Sequence, residues 1–196
     1  MPKETLVRTL TAAFTLGSLF SATALAGEIS GKVSSAKGGG ETLVYVVTAP
    51  GTFEAPAAPV VVDQKHMEFI PYVVAVMVGG TVEFKNSDKV AHNVFTPDMG
   101  GYNLGAFLPG QSRSHVFKEA GVYVQLCSMH PEMEAYVVAV QNPYYATTSA
   151  DGSYVIKNVP DGSYTVRAVG KGVKKKDRKK DFPVTVAAKT TLDLAF

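Results

Sequence analysis

Residues 121–133 read Gly121-Val-Tyr-Val-Gln-Leu-Cys127-Ser-Met-His130-Pro-Glu-Met133. Three β-branched or aromatic side chains (Val122, Tyr123 and Val124) and a glycine start predict a strand that ends at Cys127. A tight loop then brings a histidine three positions on and a methionine three beyond that. Cys127 is the single cysteine of the 196-residue chain. A lone cysteine cannot close an internal bridge, so in an oxidising compartment its neighbours must account for it.

Working upstream, Thr81-Val-Glu-Phe-Lys-Asn-Ser-Asp ends a second predicted strand and leads to Ala91-His92-Asn93. His92, Cys127, His130 and Met133 supply two imidazoles, one thiolate and one thioether. That set, on a strand end plus a short loop, predicts one mononuclear copper ion with Met133 as a weak axial ligand. The bland reading of Cys127 is a buried thiol acting as a small hydrophobe. For Met133 it is core packing, with Glu132 or Glu134 binding instead. His66, in the polar stretch Asp63-Gln-Lys-His, and His115, expected on the exposed face of a strand, are left out of the site. Met99, Met129 and Pro131 are expected to form an apolar patch around His130.

The rest of the chain past residue 27 also reads as strand. Predicted strands are Ile29–Val33, Thr42–Val47, Val60–Asp63, Val73–Val78, Thr81–Asn86, Ser114–Phe117, Gly121–Cys127, Ala135–Val140, Ser153–Lys157, Ser163–Val169, Phe182–Val186 and Thr190–Leu194. Turn signals separate them, among them Gly79-Gly80, Pro109-Gly110, Asp151-Gly152 and Asp161-Gly162. No stretch keeps a helical period, so the fold class is all-β. Residues 58–142 hold every candidate ligand. Residues 143–196 repeat Asp-Gly-Ser-Tyr at 151–154 and 161–164, and four strands make a thin sandwich alone. Residues 27–50 are therefore expected to join 143–196 in a small second β-sandwich into which the metal unit is inserted; the alternative is that 27–50 simply extends the metal unit.

At the ligand set the sequence resembles the cupredoxin family. Cys127-x-x-His130-x-x-Met133, the proline after the second histidine and the order His, Cys, His, Met are similar to amicyanin and plastocyanin. Met129 departs from them, since plastocyanins usually carry proline there. The resemblance implies a Greek-key β-sandwich or barrel, a type 1 (blue) copper centre, and a role for Asn93 in hydrogen bonding near the thiolate. The whole chain also looks like methylamine-utilisation-type plastocyanin-like proteins with an extra sandwich. The patterns Thr148 to Tyr154 and Val159 to Tyr164 are similar to carboxypeptidase regulatory-like domains, which are structural or protein-binding modules.

Two features bear on location and partners. Lys3 and Arg8 precede an apolar run, Thr9 to Phe20, and Ala24-Leu25-Ala26 is a small-x-small site. Residues 1–26 are expected to be a cleaved signal peptide that sends the protein to the periplasm without a stable membrane anchor. Residues 171–181 hold seven basic and two acidic side chains, while the whole chain has a formal charge of +2. The default for this segment is a solvated hairpin loop; the sharper reading is steering toward an acidic redox partner or an anionic membrane surface. Nucleic acid is not expected, because the loop has no stacking aromatics.

The function expected is single-electron shuttling between redox proteins, with periplasmic copper storage or delivery as the alternative, in which Met67, Met99 and Met129 relay Cu(I). No enzymatic activity is expected: four protein donors leave no open position for substrate, and a dinuclear centre would need a second cysteine.

Overall fold

The computed structural model describes residues 26–35 and 40–196. The predicted signal segment lies outside these, apart from Ala26. Among the described residues no helix is long and apolar enough to cross a membrane.

Among the described residues seventeen strands follow in order. The first two are β1 (Ala26–Ser34) and β2 (Thr42–Val46). Next come β3 (Val60–Lys65), β4 (Glu68–Ile70), β5 (Val73–Met77), β6 (Thr81–Asn86), β7 (His92–Thr96), β8 (Tyr102–Phe107), β9 (Ser112–Val116), β10 (Gly121–Leu126) and β11 (Glu134–Val140). The last group is β12 (Tyr145–Thr147), β13 (Ser153–Pro160), β14 (Gly162–Gly170), β15 (Phe182–Val186), β16 (Lys189–Thr191) and β17 (Leu194–Ala195).

Strands β3 to β11 form two sheets, β5-β11-β10-β7-β8 and β4-β3-β6-β9. Between them lies a core that includes Val62, Phe84, Phe107, Phe117 and Val137. Strands from both chain ends share the other two sheets: β13-β1-β16 with β17 beside β1, and β12-β2-β14-β15. These close around Ile29, Val44, Ile156, Val166 and Leu194.

The two sandwiches are stacked. Leu43 and Tyr45 of β2 and Val169 of β14 pack on Val73, Ala75 and Met77 of β5 and on Tyr136, Val138 and Val140 of β11. Alternate residues of the same strands, such as Val74, Val76 and Val137, face the first core. A strand buried on both faces reads as an unbroken apolar run. Val73-Val-Ala-Val-Met77 and Tyr136-Val-Val-Ala-Val140 are such runs, and β2 is buried along its whole length. The order of layers is therefore visible in which strands alternate and which do not.

Several strands depart from the expected set, each for a local reason. β4 lies outside the predicted strands because its hairpin turns at His66 and Met67, with φ of 57° and 58°. Two-residue hairpins ordinarily use Gly or Asn at such positions, so the usual signal is missing. In β8, Gly105 has φ 72° beside an irregular register opposite Asn93 to Phe95, and this masks the alternation. The predicted strand Thr190–Leu194 is two short pieces, β16 and β17, both parallel to β1. Between them the Asp193 carboxylate, not a main-chain carbonyl, accepts the Lys32 N–H at 2.8 Å. Leu192 comes so close to β1 that a Cβ at Gly31 would meet its carbonyl oxygen at 1.9 Å. Only glycine fits there.

Candidate metal centre

β10 delivers Cys127 at its end, and β7 begins with His92 on the neighbouring strand, with Leu126 paired to Phe95. The chain turns back between Cys127 and β11, and Met133 N–H donates to the His130 carbonyl at 3.0 Å. That short bond holds the loop tight and carries Met133 inward, where it is 1% exposed in the same core cluster as Cys127.

His92 Nδ1 and His130 Nδ1 are 2.9 Å apart. Cys127 Sγ lies 3.9 Å from the first and 3.8 Å from the second. The circle through these three atoms has a radius of ~2.1 Å, within the ~2.0–2.3 Å of metal bonds to imidazole and thiolate. Two nitrogens and one sulfur suit copper in both oxidation states. The site fits a single copper ion. Among the described residues, His92, Cys127 and His130 are the only group of His, Cys, Asp or Glu side chains close enough to share an ion. The Glu134 carboxylate is taken up by the Tyr72 hydroxyl at 2.8 Å.

The surroundings are prepared from both sides. Asn93 Oδ1 accepts Ser128 N–H at 2.8 Å and Ser128 Oγ–H at 2.9 Å, and lies 3.5 Å from Cys127 Sγ. One buried amide therefore ties β7 to the start of the ligand loop. Asn86 Nδ2 donates to the carbonyls of Val90 and Phe107, at 2.9 and 3.1 Å, closing the loop that presents His92.

Asp88 is the residue that sequence reasoning missed. Its Oδ2 lies 3.1 Å from His92 Nε2. Met67 N–H, Lys89 N–H and His92 hold its carboxyl down at about 2. An outer hydrogen bond of this kind selects the ring tautomer and aims the other nitrogen inward. The available signal was an acidic residue four positions before the first histidine, in a segment whose strand had ended.

Two expectations about other residues are corrected. Met99 does not join Met129 and Pro131: it lies against Gly121, at the opposite end of β10 from Cys127. The β7–β8 hairpin carries it away from the site. The exposed apolar side chains on the elements around the site are instead Met67, Val90, Leu108 and Met129. His115 is not on an open face. Its ring stacks on Tyr102 at 3.9 Å and meets Phe117 edge-on at 5.0 Å. His66 is exposed in the β3–β4 turn.

Residues 56–141 match the family of copper binding proteins, plastocyanin/azurin family. Residues 130–196 match the carboxypeptidase regulatory-like domain. The two matches overlap across β11, which strand pairing places in the first sandwich. Among solved structures, a purple cupredoxin from Nitrosopumilus maritimus is 28% identical over 41% of this chain and 98% of its own, with a TM-score of 0.38. A reduced amicyanin variant is 30% identical over 41% of this chain and 81% of its own, with a TM-score of 0.40. A copper-containing nitrite reductase from Thermus scotoductus SA-01 is 26% identical over 48% of this chain but only 25% of its own, with a TM-score of 0.42. The unit spanning residues 56–141 is a cupredoxin domain of the plastocyanin/azurin family, joined to a carboxypeptidase regulatory-like sandwich.

Proposed function

We propose that this protein is an exported, periplasmic single-electron carrier in which His92, Cys127, His130 and Met133 would hold copper. The observation that carries the reading is the convergence of two imidazole nitrogens and one thiol sulfur around one point, from two strands and one loop. Bound copper supplies a one-electron Cu(I)/Cu(II) couple. The chain's part is to keep donor positions nearly fixed, so that little rearranges when charge changes. His92 is completely buried and braced by Asp88. Cys127 is braced through Asn93. His130 is half-exposed on the loop between exposed Met129 and Pro131, so its ring edge is the natural exit for an electron. Larger redox proteins would approach there, over Met129 and the neighbouring apolar side chains.

Titration of the purified protein with Cu(II) tests this. An intense visible thiolate-to-copper absorption is expected, bleached by reductant and lost in Cys127→Ser. A colourless complex overturns the reading.

Copper storage or delivery is the second reading. Met67 favours it: it is exposed, and its N–H donates to the carboxylate that braces His92. Met99 is too remote to join a relay. Rapid Cu(I) release with slow electron self-exchange would select delivery over shuttling.

A further inference from the structure

Residues 171–181 have a charge of +5, and the structure holds this segment firmly. Lys171 Nζ lies 5.1 Å from the centre of the Tyr72 ring. The Arg178 guanidinium sits 4.1 Å over Tyr136 and donates to its hydroxyl at 2.7 Å. Lys180 Nζ donates to the Ala195 carbonyl at 2.9 Å and lies against Phe182 and Phe196. Val173 is buried, and residues Lys175–Asp177 form one 3-10 turn. Asp181, one of the two acids, is spent on Arg167 at 2.6 Å.

Between these anchors stand Lys174, Lys175, Lys176 and Lys179. All four are exposed. Among the described residues none of them pairs with a carboxylate. Two of the anchoring rings belong to the copper unit. Tyr72 immediately precedes β5, and Tyr136 is three residues beyond Met133, ~10 Å along the strand at ~3.3 Å per residue. The second sandwich therefore pins a cationic platform on the shoulder of the copper unit, next to the end where His130 reaches the surface.

We propose that Lys174, Lys175, Lys176 and Lys179 form a docking platform for an acidic redox protein, which spans the platform and the Met129–His130 edge together. This rests on the electron-carrier reading above. A protein interface of ~800 Å² per partner is wide enough to cover both. Opposite charge would raise the encounter rate, and the effect would fall with ionic strength. The exchange is one electron between the copper site and a one-electron acceptor in the partner, with no proton moved and no bond made or broken. A protein surface is favoured over an anionic membrane because the segment's one aliphatic side chain, Val173, is buried, leaving nothing to insert among acyl chains.

The test compares the full chain with a variant carrying Lys174→Gln, Lys175→Gln, Lys176→Gln and Lys179→Gln. Poly-L-glutamate is titrated into the metal-free protein while amide chemical shifts are followed. Shifts at 174–179 and at 129–131 are expected, absent in the variant and weakened by salt. Equal binding by the variant, shifts elsewhere, or tighter binding to phosphatidylglycerol vesicles than to poly-L-glutamate overturns the proposal, the last in favour of a membrane. With the copper-loaded protein, oxidation by hexacyanoferrate(III) at low salt should slow about tenfold in the variant, and oxidation by the cationic tris(phenanthroline)cobalt(III) should not slow. Unchanged rates with an intact blue colour sink the platform alone. Absence of colour and of oxidation by either reagent sinks the carrier reading instead. In the wild-type protein the hexacyanoferrate(III) rate should also fall with added salt, and a rate indifferent to salt overturns the platform without any substitution.

Discussion

The two sandwiches share a construction and differ in what they bury. Each has a tyrosine whose hydroxyl donates to a carbonyl four residues upstream, Tyr123 to Glu119 at 2.8 Å and Tyr164 to Pro160 at 2.9 Å. Each closes two sheets over an apolar core. The copper unit, however, also buries Gln64, Asn86, His92, Asn93, Thr96 and Gln125, whereas among the described residues the second unit and its junction bury only Thr42, Asn142 and Thr148 beside a core of apolar side chains and tyrosines. Buried polar groups must be hydrogen-bonded or they cost stability. Here Asn86 and Asn93 hold the ligand loops in place, and Gln125 accepts the Tyr102 hydroxyl between β8 and β10. One sandwich gives up part of its apolar interior to preorganise a site, and the other supplies a dry, rigid backing.

The contrast breaks most visibly if the backing is damaged. Ile156→Ala, at a fully buried position of the second core, should cost about 3 kcal/mol, read from urea unfolding. The folded variant should bind copper with unchanged colour and affinity. A parallel loss of affinity in folded protein would show that the second core shapes the site directly.

Next in size is Asn93→Ala, which strips the loop of the acceptor for Ser128 N–H and Oγ–H. Copper affinity should fall on the order of 10–100-fold in competition with a chelator, at nearly unchanged stability of the second sandwich.

Tyr136→Phe removes the acceptor of the Arg178 bond across the two units. A loss of about 1 kcal/mol is expected, seen equally whether unfolding is followed by copper colour or by far-ultraviolet dichroism. If the two probes separate, the units unfold independently and the stacked arrangement is weaker than its shared core implies.

The smallest effect concerns His115. Burial, and then the charge of Lys118, lower its pKa below the ordinary 6.5. The unfolded chain therefore takes up the proton first. This contribution to stability is full above pH ~6.5 and is lost as pH falls through that value toward the folded pKa. His115→Gln should flatten that part of the stability profile between about pH 8 and 5.

The all-β class and the gathering of His92, Cys127 and His130 were legible because they rest on strand periodicity and on residue types with few other reasons to sit together. Cys127, His130 and Met133 lie within seven residues, and nothing but a strand end and a tight loop joins them. What was hidden depended on backbone conformations or on distance in the chain. His66 and Met67 make a hairpin turn without a turn residue. Asp193 replaces a ladder carbonyl with a side chain. Asp88 gains its role only when the β3–β4 hairpin folds over it. Met99 failed as a neighbour of His130 because a hairpin reverses direction, and a count along the sequence does not say at which end of a sheet a residue emerges.

The β5–β11 pair, covered on both sides, sets a limit on how this molecule can be dissected. A fragment cut to residues 56–141 would turn Val73, Ala75, Met77, Val138 and Val140 outward as one greasy wall. Such a fragment would stick to copies of itself and precipitate before its colour was ever seen. A failed truncation would then report on solubility and leave the chemistry of the metal untouched.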